Sequence, residues 1–179
     1  MSLGDEFLLS SIKRLKYYKE LSDQTFERLH EAEFHFQPNE ESNSIALIIQ
    51  HLAGNMLSRW TDFLTSDGEK EWRLRDAEFE EQLLDKEKLL SLWEKGWDCM
   101  LKTLKSLTED DLMRSVYIRT EELKVVDAIN RQLAHYPYHV GQIIYVAKII
   151  KDKDWQSLSI PRNRSAAFNR QMENKDQGN

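Results

Sequence analysis

One cysteine, three prolines and six glycines are all that the 179 residues contain, and each shortage excludes something. A lone thiol, Cys99, cannot close an internal disulfide, so the chain is expected to work in a reducing, cytoplasmic compartment. So little proline and glycine argues against an all-β fold punctuated by tight turns. No apolar run approaches the roughly 20 residues of a spanning helix, and no membrane partner is expected. Positive charge is not in excess either: 25 Lys and Arg against 31 Asp and Glu give a net charge of −6. Little is left to displace counterions from a phosphate backbone, so nucleic acid is not an expected partner. The stretch from Met1 to Glu6 is acidic where a secretory signal is basic and then apolar, so export is not expected. What the chain does have is 40% apolar and 31% charged residues, enough to fill a core and cover it. At this length the expectation is one helical domain over residues 1–179.

Four stretches carry the three- and four-residue spacing of amphipathic helices. The first, about 5 to 34, runs through Leu8, Ile12, Leu15, Tyr18, Phe26 and Leu29 and ends ahead of Pro38. The second is capped by Ser42, Asn43 or Ser44, carries Ile45, Ile48, Ile49, Leu52, Met56, Trp60 and Phe63, and stops at Thr65-Ser66-Asp67-Gly68. Residues 67 to 82 are charged and aperiodic, a long connection of the kind that is functional or packed by its own side chains. The third helix, about 83 to 106, presents Leu90, Trp93, Trp97, Met100, Leu101 and Leu104. Thr108 to Asp111 resembles the acidic first turn of a short helix. Val116–Arg119 and Leu123–Val126 flank Thr120-Glu121-Glu122 as a small hairpin. The fourth helix, about 126 to 151, is apolar on most sides and is therefore expected to be central. A partly irregular tail, 152–179, has Trp155, Leu158, Ile160 and Phe168 as its apolar anchors. Together these elements predict an all-α four-helix bundle, an architecture whose interior commonly houses metals.

Five histidines occur: His30, His35, His51, His135 and His139. His135 and His139 are four apart on the fourth helix, about 40° and one turn from each other, so both rings can reach one ion. The same spacing also suits two partly buried rings hydrogen-bonded to neighbours. With about 100° per residue, His135 and His139 lie roughly 120–160° from the Leu133–Val140 stripe, and His51 lies about 120° from the stripe of the second helix. All three therefore sit beside an apolar stripe, where neighbouring helices meet. If the second and fourth helices are neighbours, three imidazoles converge on a partly open spot. Three imidazoles with an open fourth position are the ligand set of a catalytic rather than a structural zinc site, and nickel, iron and manganese accept imidazole too.

The remaining residues have competing readings. Tyr136 stands where a His-Glu-x-x-His protease has its glutamate, which excludes that chemistry. Pro137 removes a donor and crowds the carbonyl of Leu133; it is either a tolerated kink or the device that aims the two histidines. Asn55 and Gln142 can orient a histidine ring or a water, or serve ordinary interhelical hydrogen bonding. Arg59 and Arg131 either answer a substrate's carboxylates or lie solvated. His30 and His35 read as non-ligands, Cys99 as a small buried hydrophobe, and Trp60, Trp93 and Trp97 as core. No catalytic acid, base or nucleophile and no organic cofactor site can be identified.

The segment Ile49 to Met56, taken with His135-x-x-x-His139 and Val140-Gly141-Gln142-Ile143, resembles the DinB/YfiT-like superfamily. Ser42–Ala46, Arg59–Lys70 and Trp155–Pro161 look like a subgroup known only as a domain of unknown function, and the resemblance covers roughly residues 5 to 168. It implies a four-helix bundle holding a divalent metal on the positions of His51, His135 and His139, with zinc or nickel first and iron or manganese behind them. It also implies kinship with thiol S-transferases that use bacillithiol or mycothiol and with a mycothiol-dependent isomerase, commonly dimeric, although some members lack ligands or any known reaction. The expected function is a metal-dependent enzyme acting as a low-molecular-weight thiol S-transferase, with a small thiol or electrophile as partner. A metal-dependent hydrolase, with water in place of the thiol, and a non-catalytic homodimeric bundle are the alternatives.

Overall fold

In the computed structural model, which describes residues 1–80 and 82–176, a capping box opens helix α1 (Leu3–Phe26). Ser2 Oγ accepts from the Asp5 N–H and Asp5 Oδ2 from the Ser2 N–H, both at 3.1 Å. The helix ends well before the expected residue 34. The ladder tightens there into three-residue steps, with the Arg28 N–H on the Thr25 carbonyl at 3.1 Å and the Leu29 N–H on the Phe26 carbonyl at 3.2 Å, and Lys86 Nζ fixes the turn by donating to the carbonyls of Phe26 (3.0 Å) and Leu29 (2.7 Å). The chain then makes a 3₁₀ turn, Glu31–His35, which folds Phe34 back onto Phe26 with ring centroids 5.5 Å apart. The apolar spacing that suggested one long helix thus reflects burial shared by two short-range elements.

Helix α2 (Ile45–Trp60) is capped by Ser44, whose Oγ accepts from the Leu47 N–H at 3.2 Å. It stops short of the predicted Thr65–Gly68 because Asp62 adopts a φ of 49° and its carbonyl accepts from the N–H groups of Thr65 and Ser66, both at 3.0 Å. Almost every residue of α2 is buried, which makes it the enclosed helix of the fold. That place was expected of the fourth helix, which instead leaves Tyr138, Tyr145 and Ile149 exposed. Helix α3 (Lys86–Ser106), capped by Asp85, packs most extensively on α2. Gly96 permits this approach, since a Cβ there would lie 3.0 Å from the Ala53 Cα.

Strands β1 (Ser115–Ile118) and β2 (Glu121–Lys124) pair antiparallel from Ser115↔Lys124 to Ile118↔Glu121. Arg119 and Thr120 form the two-residue turn, with φ of 53° and 67°. The Asp67 carboxylate accepts both turn N–H groups, at 2.9 and 2.8 Å, and the Glu69 N–H at 2.7 Å, which ties the charged connection to the hairpin. Burial alone would raise the Asp67 pKa; these three donors override it and hold the carboxyl below the usual range.

Helix α4 (Val125–Lys151) runs unbroken through Pro137 and packs on α1 and α2. Among the described residues, then, five helices and one small hairpin make up an all-α chain. Trp60, Trp93, Trp97 and Tyr136 are its largest buried side chains, and half-buried Cys99 lies 3.6 Å from Thr61 Oγ1. Past α4, Trp155 lies beneath the Arg28 guanidinium at 5.2 Å and is partly buried, as is Leu158. Ile160 is exposed, and so is Phe168 on the terminal helix α5 (Ser165–Asp176), so these two do not anchor the tail. No helix among the described residues is long and apolar enough to cross a membrane.

Candidate metal centre

α2 and α4 face each other at His51 and at the pair His135 and His139. One nitrogen from each of the three rings lies within 4.8 Å of the others. The two α4 rings are closest, with Nε2 to Nε2 at 3.1 Å. An ion about 2.0–2.1 Å from each imidazole nitrogen sets tetrahedral neighbours about 3.3 Å apart. The α4 pair already stands at that separation.

The protonation pattern decides what this geometry can do. His51 Nδ1 lies 3.0 Å from Glu78 Oε2, His139 Nδ1 lies 2.7 Å from Gln142 Oε1, and His135 Nδ1 lies 3.3 Å from Gln132 Oε1. Each Nδ1 therefore faces an oxygen of a neighbouring side chain, the arrangement that turns a ring's Nε2 toward a ligand when Nδ1 carries the proton. Burial, reinforced by the charge of His139, His51, Arg59 and Arg131, pushes the His135 pKa down to about 3. Burial pushes His139 down to about 4, against the stabilising bond to Gln142. Both rings are neutral at pH 7, so each has one unprotonated nitrogen to offer, and the two Nε2 atoms stand 3.1 Å apart. That is an arrangement a cation would bridge, and the donor set suits a borderline divalent ion.

His51 is held by an ion-pair chain that arises in the aperiodic connection. Glu78, on the 3₁₀ turn Asp76–Phe79, receives Arg73 Nε at 2.7 Å and Nη2 at 2.9 Å, and Arg73 Nη1 reaches Glu69 at 3.2 Å. Burial would raise the Glu78 pKa; His51 and Arg73 outweigh it and keep the group ionised. Gly54, one turn from His51, leaves the space that Glu78 fills: a Cβ there would meet Oε1 at 2.2 Å. Asn55 Oδ1 accepts from the Tyr136 hydroxyl at 3.1 Å, and that hydroxyl accepts from Trp60 Nε1–H at 2.9 Å. Gln142 does meet a histidine ring, whereas the oxygen of Asn55 is occupied by Tyr136. His30 and His35 lie apart from the cluster; His30 precedes a 3₁₀ turn and His35 Nε2 sits 2.9 Å from the Leu84 carbonyl.

The three rings open on a cavity of about 440 Å³. Asn55, Phe79 and Tyr138 form part of its wall, together with five arginines. Sequence reasoning missed Glu78 and Arg73, whose stretch has no period to place them; its charge density in so long a connection was the available signal. Among the described residues no other three His, Cys, Asp or Glu side chains gather this tightly.

Compared with curated proteins, the chain has no match. Residues 2–164, which include all three histidines and the connection that supports His51, match the family described as "Protein of unknown function (DUF1572)", and the chain belongs to that family.

Proposed function

We propose that the chain is a metal-dependent enzyme in which His51, His135 and His139 hold one divalent ion, zinc or nickel before iron or manganese. The observation that carries this reading is the cluster itself: one nitrogen from each of the three rings within 4.8 Å of the others, with the His135 and His139 Nε2 atoms 3.1 Å apart and every Nδ1 facing an oxygen. We place the chain in the DinB-like superfamily, with its four long helices as the bundle. A bound ion would supply Lewis acidity, lowering the pKa of a thiol or water brought to it.

The chain's own residues favour a thiol over water. Glu78, the carboxylate beside the histidines, is engaged by both His51 and Arg73, and among the described residues no Asp or Glu lines the cavity. A hydrolase would want a free base there, whereas a thiol, far more acidic than water, needs none once a cation is near. We therefore read the protein as a low-molecular-weight thiol S-transferase, with a metal-dependent hydrolase as the alternative. The cavity counts against the non-catalytic dimer reading, because a purely structural site would be closed by a fourth protein ligand.

The test has two stages. Elemental analysis of the purified protein, with zinc and nickel titrations by calorimetry, is expected to show one ion per chain; absence of stoichiometric binding overturns the proposal. Turnover of an electrophile panel with and without added thiols then separates the reactions, and hydrolysis that needs no thiol replaces the transferase by the hydrolase.

A further inference from the structure

The cavity has two chemically different ends. On α2, His51, Asn55 and Arg59 follow each other at four-residue steps, a single stripe along the helix. On α4, Arg131 precedes His135 and His139 at the same step. Because His51 meets the α4 histidines, the stripes run from imidazole at one end to guanidinium at the other. Arg131 acts electrostatically on Arg59, and both act on His135, so the guanidinium end lies within electrostatic reach of the imidazoles.

Arg59 differs from the other four lining arginines. Arg73 is neutralised by Glu78 and Glu69, Arg119 reaches Glu69 at 3.3 Å, Arg131 reaches Glu121 at 3.6 Å, and Arg75 lies 3.9 Å from Asp76. Arg59 is only 6% exposed, and its Nε and Nη1 have no hydrogen-bond partner among the described residues. Burial lowers its pKa, helped by Arg131 and Arg73, yet a guanidinium stays protonated at neutral pH. A buried cation that lines a cavity without a carboxylate among the described residues, and whose Nε and Nη1 are closed in without a partner, is a partner short. The chain as a whole is acidic, at −6, so this concentration of arginine is local, and a cleft lined by one sign of charge focuses the opposite sign.

We propose that Arg59, with Arg131 beside it, is the subsite for an anionic group of the substrate, a carboxylate or a phosphate, bound at the far end of the cavity from the three histidines. This inference names the substrate class for the metal-dependent reading above and rests on it for catalysis, while the anion subsite itself needs no metal. The planar guanidinium fork matches both anions through paired donors. A cavity of about 440 Å³ takes a small ligand. The substrate would bridge its ends, with its anion on Arg59 and its reacting atom toward the imidazoles.

Calorimetric titration of inorganic phosphate and of malonate, into zinc-loaded and into EDTA-stripped protein, tests this. At least one anion is expected to bind saturably to the stripped form, and the better of the two identifies phosphate or carboxylate as the preferred group. Arg59→Met should weaken that binding by about tenfold or more, not weaken zinc binding, since it takes a positive charge away from His135, and not lower the Tm in anion-free buffer, because it removes an unpaired buried charge. Arg59→Lys, which keeps the charge without the fork, should fall between, and Arg131→Gln supplies a second probe should Arg59→Met fail to fold. Equal binding by wild type and both Arg59 variants, or no saturable binding at all, overturns the subsite. If zinc fails to bind while the anion still depends on Arg59, the metal reading falls and this one stands.

Discussion

Gly54 and Glu78 are in such close contact that a single methyl group on residue 54 would lie 2.2 Å from the carboxylate Oε1 and 2.8 Å from its Cδ. Glu78 is flexible in principle, but here it is fixed by His51 on one side and the Arg73 fork on the other. Moving it means breaking those bonds. Gly54→Ala is therefore expected to leave the helical fold intact and to weaken zinc binding about 10- to 100-fold, the usual loss when a histidine's supporting carboxylate is disturbed. Circular dichroism with zinc calorimetry checks it, and Glu78→Gln should show the same weakening. Unchanged zinc affinity in both variants would mean that the carboxylate serves only the fold.

His51→Ala, His135→Ala and His139→Ala should each abolish the rise in Tm produced by stoichiometric zinc, because binding to the native state stabilises it in proportion to affinity. His30→Ala should retain the full rise. A zinc-induced shift that survives any one of the three cluster substitutions removes that residue from the ligand set.

How much of this was legible in the chain depends on whether a residue's partner is local. His135 and His139 are one turn apart on one helix, and His51 flanks an unmistakable apolar stripe, so periodicity alone could place all three beside a helix seam. Glu78 could not be placed that way: its partners are His51, 27 residues away, and a glycine-sized gap on α2. The extents of α1 and α2 were overestimated for a related reason. Phe26, Leu29, Phe34 and Phe63 are buried at near-helical spacing, but the three-residue steps at Arg28 and Leu29, which Lys86 fixes, and the turn at Asp62 end the helical hydrogen-bond ladders first. Both stripes at four-residue steps were present in the sequence; that Arg59 lacks a counter-ion among the described residues was not, because an absent partner has no sequence signature.

Acid should destabilise the metal-free protein before it unfolds it. His135 and His139 have folded-state pKa values near 3 and 4, below the ordinary 6.5. The unfolded chain thus binds more protons than the folded one between those limits, and stability falls as pH drops from about 6.5 toward 4. Allowing for solvent screening of these partly exposed rings, the loss from pH 7 to pH 5 should be about 2 kcal/mol. Urea unfolding in EDTA across that range measures it. The double variant His135→Asn, His139→Asn should flatten the curve; an equally steep curve would assign the acid sensitivity to other groups.

Pro137 sits between the two α4 ligand candidates and denies the Leu133 carbonyl its helical donor. Pro137→Ala restores that donor and is expected to raise stability, by up to about 3 kcal/mol. If the proline also aims the two rings, zinc affinity should fall in the same variant. Higher Tm with unaltered zinc affinity leaves the proline a tolerated interruption and nothing more.

The Tyr136 hydroxyl separates packing from ligation. It is fully buried, and burial raises its pKa despite the opposing bond from Trp60, so it stays a neutral phenol that donates to Asn55. Tyr136→Phe keeps the ring that packs 5.4 Å from His135 but strands the Trp60 N–H and the Asn55 oxygen. A buried donor and acceptor left without partners cost about 1–3 kcal/mol, so urea unfolding should show a loss of that size. Zinc calorimetry should be unaffected, because the His135 ring keeps its neighbour and its own Nδ1 contact with Gln132. If zinc binding weakens in step with stability, the Asn55–Tyr136–Trp60 chain positions the histidines as well as the core, and Asn55→Ala should then reproduce the defect.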